Sequence, residues 1–558
     1  MARLIELESE ETLAPSAAAR ARGAGGAPGR RALLVLLALA AVGFGLRAGG
    51  VSRLGLAEDE VNKLEAVRAY ARGDITGNAE HPMLMKSLIF ASVTAAHAWN
   101  ARAPRGDQLT LLDVSDEAAI RLPNVLFGSL TVFPIFLLTA AFFGRATGLT
   151  AAALWATGVG AVTFNRVAKE DTLLVFFMLF ALYFYVRAKQ ASGFEPGLKK
   201  RNYLLSAVSW GLMFASKYFP HYFGLNMLYH NLFHVRTRGP GEPRGNTPAV
   251  FYVVVFATFL LANPAVLLPR TWGYLTAYSS EQLLTHHGYL MGETLYHNVV
   301  SKGPFGATPV YFYALYLLTK TPVPVLAAFA AGLWALWRRR REPGAAFLLF
   351  MLLFWIVPYS LFGAKWLRYA LSLLPFVYMT AAVGAAAAAR GLSGMVKSGR
   401  GDGGAASWAW AAALALFVGL PAYAAARAAP HYALYTNALA PRAAGYYFPH
   451  DELYDDGLRE ALRYVADHAP PGAAVAHETP GVTRYYFARY GREDLRPRVI
   501  SDPGFDVTAE PGPVYAVLQR GRTYFENRDE MERVRATFTR EHSVVIDGVT
   551  AAEVYAKK

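Results

Sequence analysis

Unbroken apolar runs, each close to the thickness of a bilayer's hydrocarbon core, recur along this chain and leave few folds open to it. They lie at 32–48, 121–143, 149–164, 171–187, 202–216, 218–234, 249–268, 322–337, 345–362, 369–389 and 406–426. A core of ~30 Å asks for about 20 residues of helix, and backbone in lipid must close its own hydrogen bonds. The expected architecture is an α-helical polytopic membrane protein with about eleven spans. Composition agrees: 54% of the 558 residues are hydrophobic. The net charge of +14 would suggest nucleic acid in a soluble protein. Here the Lys and Arg residues cluster between apolar blocks, so the expected partner is the lipid bilayer and not nucleic acid. The chain has no cysteine, which excludes disulfides, thiolate catalysis and Cys-based metal sites.

Orientation follows from the short loops. Basic residues concentrate at Arg145, at 187–201, at 236–244, at 338–341 and at 390–400. With the polar tail 1–31 in the cytoplasm and 32–48 retained as the first span, all of these face the cytoplasm. Loops 50–120, 165–170 and 269–321 then lie outside. So does everything after about 428, in the periplasm of a bacterial inner membrane. Met83–Trp99 is apolar enough to cross, but crossing would turn every later basic loop outward. It is expected to lie along the outer surface. From 428 onward charges are dense, and short helical and strand patterns alternate, so 428–558 reads as a soluble α/β domain beside the transmembrane domain 32–427.

The polar residues on the outer side are the candidates for chemistry. "GLAEDEVNKLEAVRAYARGDITGNAEHPMLMK" (55–86) places Glu58, Asp59 and Glu60 just beyond the first span. Asp59 can cap a helix, but capping accounts for one acid and not three. Glu80 and His81 precede Pro82, a residue suited to a first helical turn. The outer turn "NRVAKEDTLLVFF" carries Arg166, Lys169, Glu170 and Asp171, where acids also favour a helix N-terminus. Lys217 in "SKYF" sits between apolar runs, with His221 four residues on. The loop 269–321 holds His286, His287, His297, Glu281 and Glu293. Lys365 and Arg368 in "GAKWLRYALSLLPF" break the charge rule on the outer face, where an anionic headgroup or phosphate would explain them. Such a set can activate a hydroxyl with a carboxylate and hold a phosphate leaving group with cations.

"AEDE" followed by "HPMLMK", then "NRVAKEDTLLVFF", "SKYF" and "KWLRYALSLLPF", resembles the ordered motifs of the dolichyl-phosphate-mannose protein mannosyltransferases. The same segments are similar to those of the bacterial enzymes that move aminoarabinose onto lipid A. The likeness covers roughly 30–390. It implies a C-type glycosyltransferase fold and inverting transfer of a sugar from a polyprenyl-phosphate donor to a hydroxyl of a protein, lipid or glycan. By resemblance Asp59 is the catalytic base, Glu60 its support and Asp171 a second acid. Lys86, Arg166, Lys217, Lys365 and Arg368 would contact the donor phosphate. Glu80, with His286 or His287, would hold a divalent metal ion, and no other cofactor is implied. Met83 stands where the family has a second proline, and the C-terminal domain is not the insert of the eukaryotic enzymes. Two other readings are aminoarabinose-type transfer to lipid A or another glycan, and a transporter without transferase activity. No internal repeat of the kind transporters carry is visible.

Overall fold

The structure is a computed structural model that describes residues 29–102, 113–191, 196–218, 249–280, 286–400 and 403–557. Residues 1–28, most of the predicted span 218–234 with His221, the basic loop at 236–244, and Glu281 lie outside the described residues.

In chain order the first helices are α1 (Arg30–Ala48), α2 (Glu58–Ala71), α3 (Met83–Arg102), α4 (Asp116–Leu130), α5 (Val132–Phe143), α6 (Arg145–Thr157), α7 (Val159–Phe164), α8 (Asp171–Gln190), α9 (Pro196–Ser216), α10 (Ala249–Ala262) and α11 (Pro269–Ser279). A hairpin of β1 (Gly288–Met291) and β2 (Thr294–His297) follows. Then come α12 (Phe312–Lys320), α13 (Val323–Arg338), α14 (Pro343–Leu361), a 3-10 turn at Leu367–Ser372, α15 (Leu374–Arg400) and α16 (Gly403–Ala428).

Among the described residues, four helical stretches are long and apolar enough to cross a membrane: Arg30–Arg53, Asp116–Phe143, Asp171–Gln190 and Pro343–Leu361, with mean hydropathy of 2.1, 2.1, 1.6 and 2.0. Ala249–Ala262, Val323–Arg338 and Ala415–Ala428 are shorter apolar helices. The predicted runs that lie within the described residues are helical, that at 121–143 as α4 and α5, with two further refinements. The run at 149–164 is two helices, broken at Gly158. Met83–Trp99 is one helix, packed against α2, α4 and α9.

Helices lie closely together where side chains are small. A Cβ on Gly332 of α13 would fall 2.0 Å from the Thr380 carbonyl oxygen, and one on Gly384 of α15 would fall 1.9 Å from that of Ala328. Backbones meet here because nothing projects between them, the usual device where helices share an apolar solvent.

After α16 the chain leaves the apolar helices. It forms α17 (Pro449–Leu453), α18 (Leu458–His468), β3 (Ala474–Ala476), α19 (Pro480–Arg489), β4 (Arg496–Arg498), β5 (Val514–Leu518), α20 (Arg528–Thr537), β6 (Thr539–Ile546) and β7 (Val549–Lys557). The sheet order is β4-β3-β5-β7-β6. β3 pairs parallel with β4 and β5, while β7 pairs antiparallel with β5 and β6. The α/β reading of the tail matches this sheet. Two features had no sequence signal: the β1–β2 hairpin inside an expected loop, and β7. The apolar positions of α18 (Leu458, Ala461, Leu462 and Val465) pack in the same buried cluster as Leu56, Val61 and Leu64 of the α2 region. The C-terminal domain is therefore seated against the segment that carries Asp59.

Candidate active site

The acidic stretch folds as a helix start, though Asp59 is not its cap. The N-cap is Ala57, and Glu60 at the third helical position reaches back to accept its N–H at 3.1 Å. Glu60 is wholly buried. Its Oε1 accepts from Arg121 Nε at 2.8 Å and from the Ala168 N–H at 2.9 Å, and its Oε2 accepts from Arg121 Nη2 at 2.5 Å. Glu60 therefore ties α2, α4 and the 165–170 turn together. It faces Arg121, so its support of Asp59 is mechanical and reaches it only through the backbone.

Asp59 lies one residue earlier, half-buried, with 35% of its side chain exposed. Its Oδ2 accepts the Tyr454 hydroxyl hydrogen at 2.7 Å and pairs with Lys169 Nζ, while Arg368 Nη1 stands 3.9 Å away. Burial pushes the Asp59 carboxyl up. Lys169, Arg368 and Lys63 outweigh burial and hold it well below the usual carboxylate range. Lys63 itself pairs with Glu170 at 3.0 Å. On the far side of Arg368, Asp171 opens α8 and pairs with Lys217 at 2.6 Å, and the Lys217 ammonium sits 4.4 Å from the Tyr369 ring centre. Arg368 is stacked on Trp366 and Tyr369, at 5.0 Å and 5.6 Å from the ring centres.

Arg368, Lys169, Asp171, Arg166 and Tyr454 line one cavity together with Asp451, Asp456, His431 and Tyr432. Asp59 is not part of this lining but contacts three of its members, Lys169, Tyr454 and Arg368. The free space is about 60 Å³, room for a few waters, since a water takes ≈ 30 Å³ of liquid volume. A sugar phosphate needs these side chains to part. Lys169 lies on the loop before α8 and Arg368 on the short 3-10 turn 367–372, both lining that space.

Several predicted residues hold other positions. Lys86 Nζ donates to the carbonyls of Gly77, Asn78 and His81, at 3.1, 2.5 and 2.8 Å. Lys365 Nζ donates to the Thr308 carbonyl at 2.6 Å and to that of Phe362. Both ammonium groups are engaged by backbone carbonyls, those of Lys86 in the preceding loop and those of Lys365 at Thr308 and Phe362. Arg166 Nη1 caps the end of α1, donating to Leu46, Arg47 and Gly49 carbonyls at 3.1, 2.7 and 2.7 Å. Its guanidinium also faces the Tyr432 ring at 5.1 Å.

The predicted metal set does not converge. Glu80 accepts from Asn78, His286 is stacked on Tyr524 at 4.0 Å beside Glu478, and His287 pairs with Glu526 at 3.0 Å. Among the described residues no three His, Asp or Glu side chains are grouped to hold a metal ion. Sequence reasoning missed Tyr454. Nothing in "ELYDDG" distinguishes a site tyrosine from a surface one.

Residues 108–267 match the family model described as dolichyl-phosphate-mannose-protein mannosyltransferase, and 288–453 match that of the Alg9-like mannosyltransferase family. The chain is also similar to ArnT from Cupriavidus metallidurans, in the structure bound to undecaprenyl phosphate and in the apo state. The identities are 14% and 15%, and the TM-scores are 0.53 and 0.51. Each alignment covers 94% of this chain and 97% of ArnT. No curated protein matches the sequence significantly. The fold is therefore the ArnT-like C-type glycosyltransferase fold over nearly the whole chain. Both family matches agree with a membrane glycosyltransferase.

Proposed function

We propose that this membrane glycosyltransferase moves a mannose-like hexose from a polyprenyl-phosphate donor to an acceptor hydroxyl. The reaction inverts the anomeric carbon, at the face where 58–60, 165–171 and 365–369 meet. The observation that carries the reading is Asp59 held by Lys169, Arg368 and Tyr454, three residues that line one cavity. Asp59 holds the acceptor hydroxyl through its O–H and aims the oxygen at the anomeric carbon. As the new C–O bond forms, the bond to phosphate oxygen breaks. Arg368 and Lys169 then take up the charge that collects on the leaving phosphate.

Asp59 is held ionised, so it is a weak proton acceptor. The released polyprenyl phosphate, with a second pKa of about 6, is the better base. Asp59 therefore orients the hydroxyl through most of the reaction, and the acceptor proton ends on the phosphate or in water. The site is assigned to the periplasmic face of a bacterial inner membrane on the loop charges, with Arg145, 199–201 and 338–341 opposite Asp59 and Asp171.

The test is transfer by the purified protein in lipid nanodiscs from polyprenyl-phosphate-mannose and from a panel of other polyprenyl-phosphate sugars. Wild type is expected to transfer and Asp59→Asn to lose about a hundredfold or more. Absence of transfer from every donor, or a wild-type rate in a well-expressed Asp59→Asn protein, overturns the proposal.

A further inference from the structure

Two adjacent non-glycine residues, Tyr454 and Asp455, have left-handed backbones, with φ of 46° and 68°. Each such residue costs of order 1 kcal/mol or more and persists only where its surroundings hold it. Tyr454 ends the short helix α17. The bend turns the two side chains toward α2 from the C-terminal domain.

Asp455 is clamped there. Its carboxylate accepts the Glu58 N–H at 3.1 Å and is gripped on both oxygens by Arg522, with Nε–Oδ1 at 2.7 Å. Arg522 Nη1 continues to Glu58 Oε2 at 2.9 Å and to the Tyr524 hydroxyl at 3.2 Å. Asp455 and Arg522 are both buried, so this clamp is a charge-assisted anchor and not a screened surface pair. It fixes the first residue of α2 to the C-terminal sheet domain. With that fixed, the Tyr454 hydroxyl reaches Asp59 Oδ2 at 2.7 Å.

We propose that Tyr454 is a positioning residue for the transfer reaction, supplied by the C-terminal domain, whose hydroxyl holds the Asp59 carboxylate in the rotamer that receives the acceptor. This rests on the glycosyltransferase reading above. A fold satisfied with docking could have placed Asp455 and Arg522 alone. Of the two strained residues, Asp455 serves the clamp, while Tyr454 lines the cavity and donates to Asp59, and strain gathers where geometry serves function. Burial and the Asp59 charge raise the Tyr454 hydroxyl well above its ordinary range, so it remains a donor at every working pH. Lys169 and Arg368 also reach Asp59 and are the cations expected to move onto the donor phosphate. When they leave, Tyr454 is the contact that stays.

The test compares Tyr454→Phe with Tyr485→Phe, both in the full chain in nanodiscs. Tyr485 belongs to the same domain and donates to Asp116 at 3.0 Å, away from Asp59. Tyr454→Phe is expected to lower kcat roughly ten- to a hundredfold, the worth of a hydrogen bond to a charged group, with donor KM within threefold. It also removes a donor to the ionised form of Asp59. The carboxyl still faces Lys169, Lys63 and Arg368, and more distantly Glu58, His81 and Tyr278. The acid limb of the kcat/KM profile is therefore expected to move to higher pH. Tyr485→Phe is expected to leave both unchanged. An unchanged kcat, an unmoved acid limb, or an equal loss in Tyr485→Phe overturns the inference. If wild type transfers normally in that experiment, the glycosyltransferase reading stands without it. If wild type transfers from no donor, both fall.

Discussion

Replacing Glu60 by glutamine keeps the side chain's shape and removes its charge, and the structure sets the expected cost. In the wild type the Arg121 guanidinium makes two bonds to the carboxylate and donates to the Val51, Leu54 and Gly55 carbonyls at 2.8, 2.9 and 2.5 Å. Arg121 and Glu60 are almost completely shielded, at 3% and 0% exposure. Stranding one partner of a buried ion pair costs about 3–5 kcal/mol. The three carbonyls stay with Arg121, which puts the charge term near the lower bound, about 3 kcal/mol. The carboxylate also accepts the N–H groups of Ala57 and Ala168 on opposite oxygens. An amide has one oxygen, so one of these N–H groups loses its acceptor, adding ~1 kcal/mol.

The sum, about 4 kcal/mol, is a large part of the typical margin of a folded domain. It is measured by unfolding Glu60→Gln, Arg121→Gln and the double variant in detergent, with helicity read by circular dichroism. The double variant should be more stable than the sum of the single losses implies, with a coupling of at least ~2 kcal/mol. A Glu60→Gln protein within ~1 kcal/mol of wild type, or a coupling below ~0.5 kcal/mol, would refute the assignment of Glu60 as a tie between α2, α4 and the 165–170 turn.

Lys169→Met removes the first cation on Asp59, so the carboxyl rises and the acid limb of the transfer profile moves to higher pH. The sign for stability follows the same pair: a carboxyl held below its unfolded value of about 3.9 stabilises the fold above that pH, and the contribution is lost as pH falls through the depressed value. Acid unfolding of wild type and Lys169→Met should therefore converge at low pH. Lys86→Met and Lys365→Met are each expected to lower stability by about 2 kcal/mol, by stranding buried carbonyls. Donor KM in the folded protein should stay within threefold, whereas Arg368→Lys should raise it. Gly332→Ala drives a methyl into the Thr380 carbonyl, and is expected to cost at least ~2 kcal/mol by forcing α13 and α15 apart, read by the same unfolding assay.

Apolar run length made the helices legible, because a bilayer demands it of any sequence. The acids at 58–60 and 170–171 were legible as a group because ionised side chains beside lipid need partners. What the sequence could not show is how charge is shared among them. Lys86, Lys365, Lys169 and Arg368 are one residue class in a sequence. They separate only when the fold gives the first two nearby carbonyls and leaves the others facing Asp59. The placement of the predicted metal ligands was hidden for a related reason: His286 and His287 join the C-terminal sheet domain through Tyr524, Glu478 and Glu526, contacts more than a hundred residues away in sequence. Tyr454 is the extreme case, since only tertiary structure brings it within reach of Asp59.

That reach has a consequence for how the protein is made. Asp59 and the hydroxyl that receives it are 395 residues apart. At ≈ 5–20 residues per second of synthesis, roughly 20–80 s separate their appearance at the ribosome. During that interval the apolar helices can already be in the membrane, with Asp59 among its cations and Tyr454 not yet made. The Tyr454–Asp455 bend is locked against α2 only after Arg522 has been made, long after Asp59 has emerged.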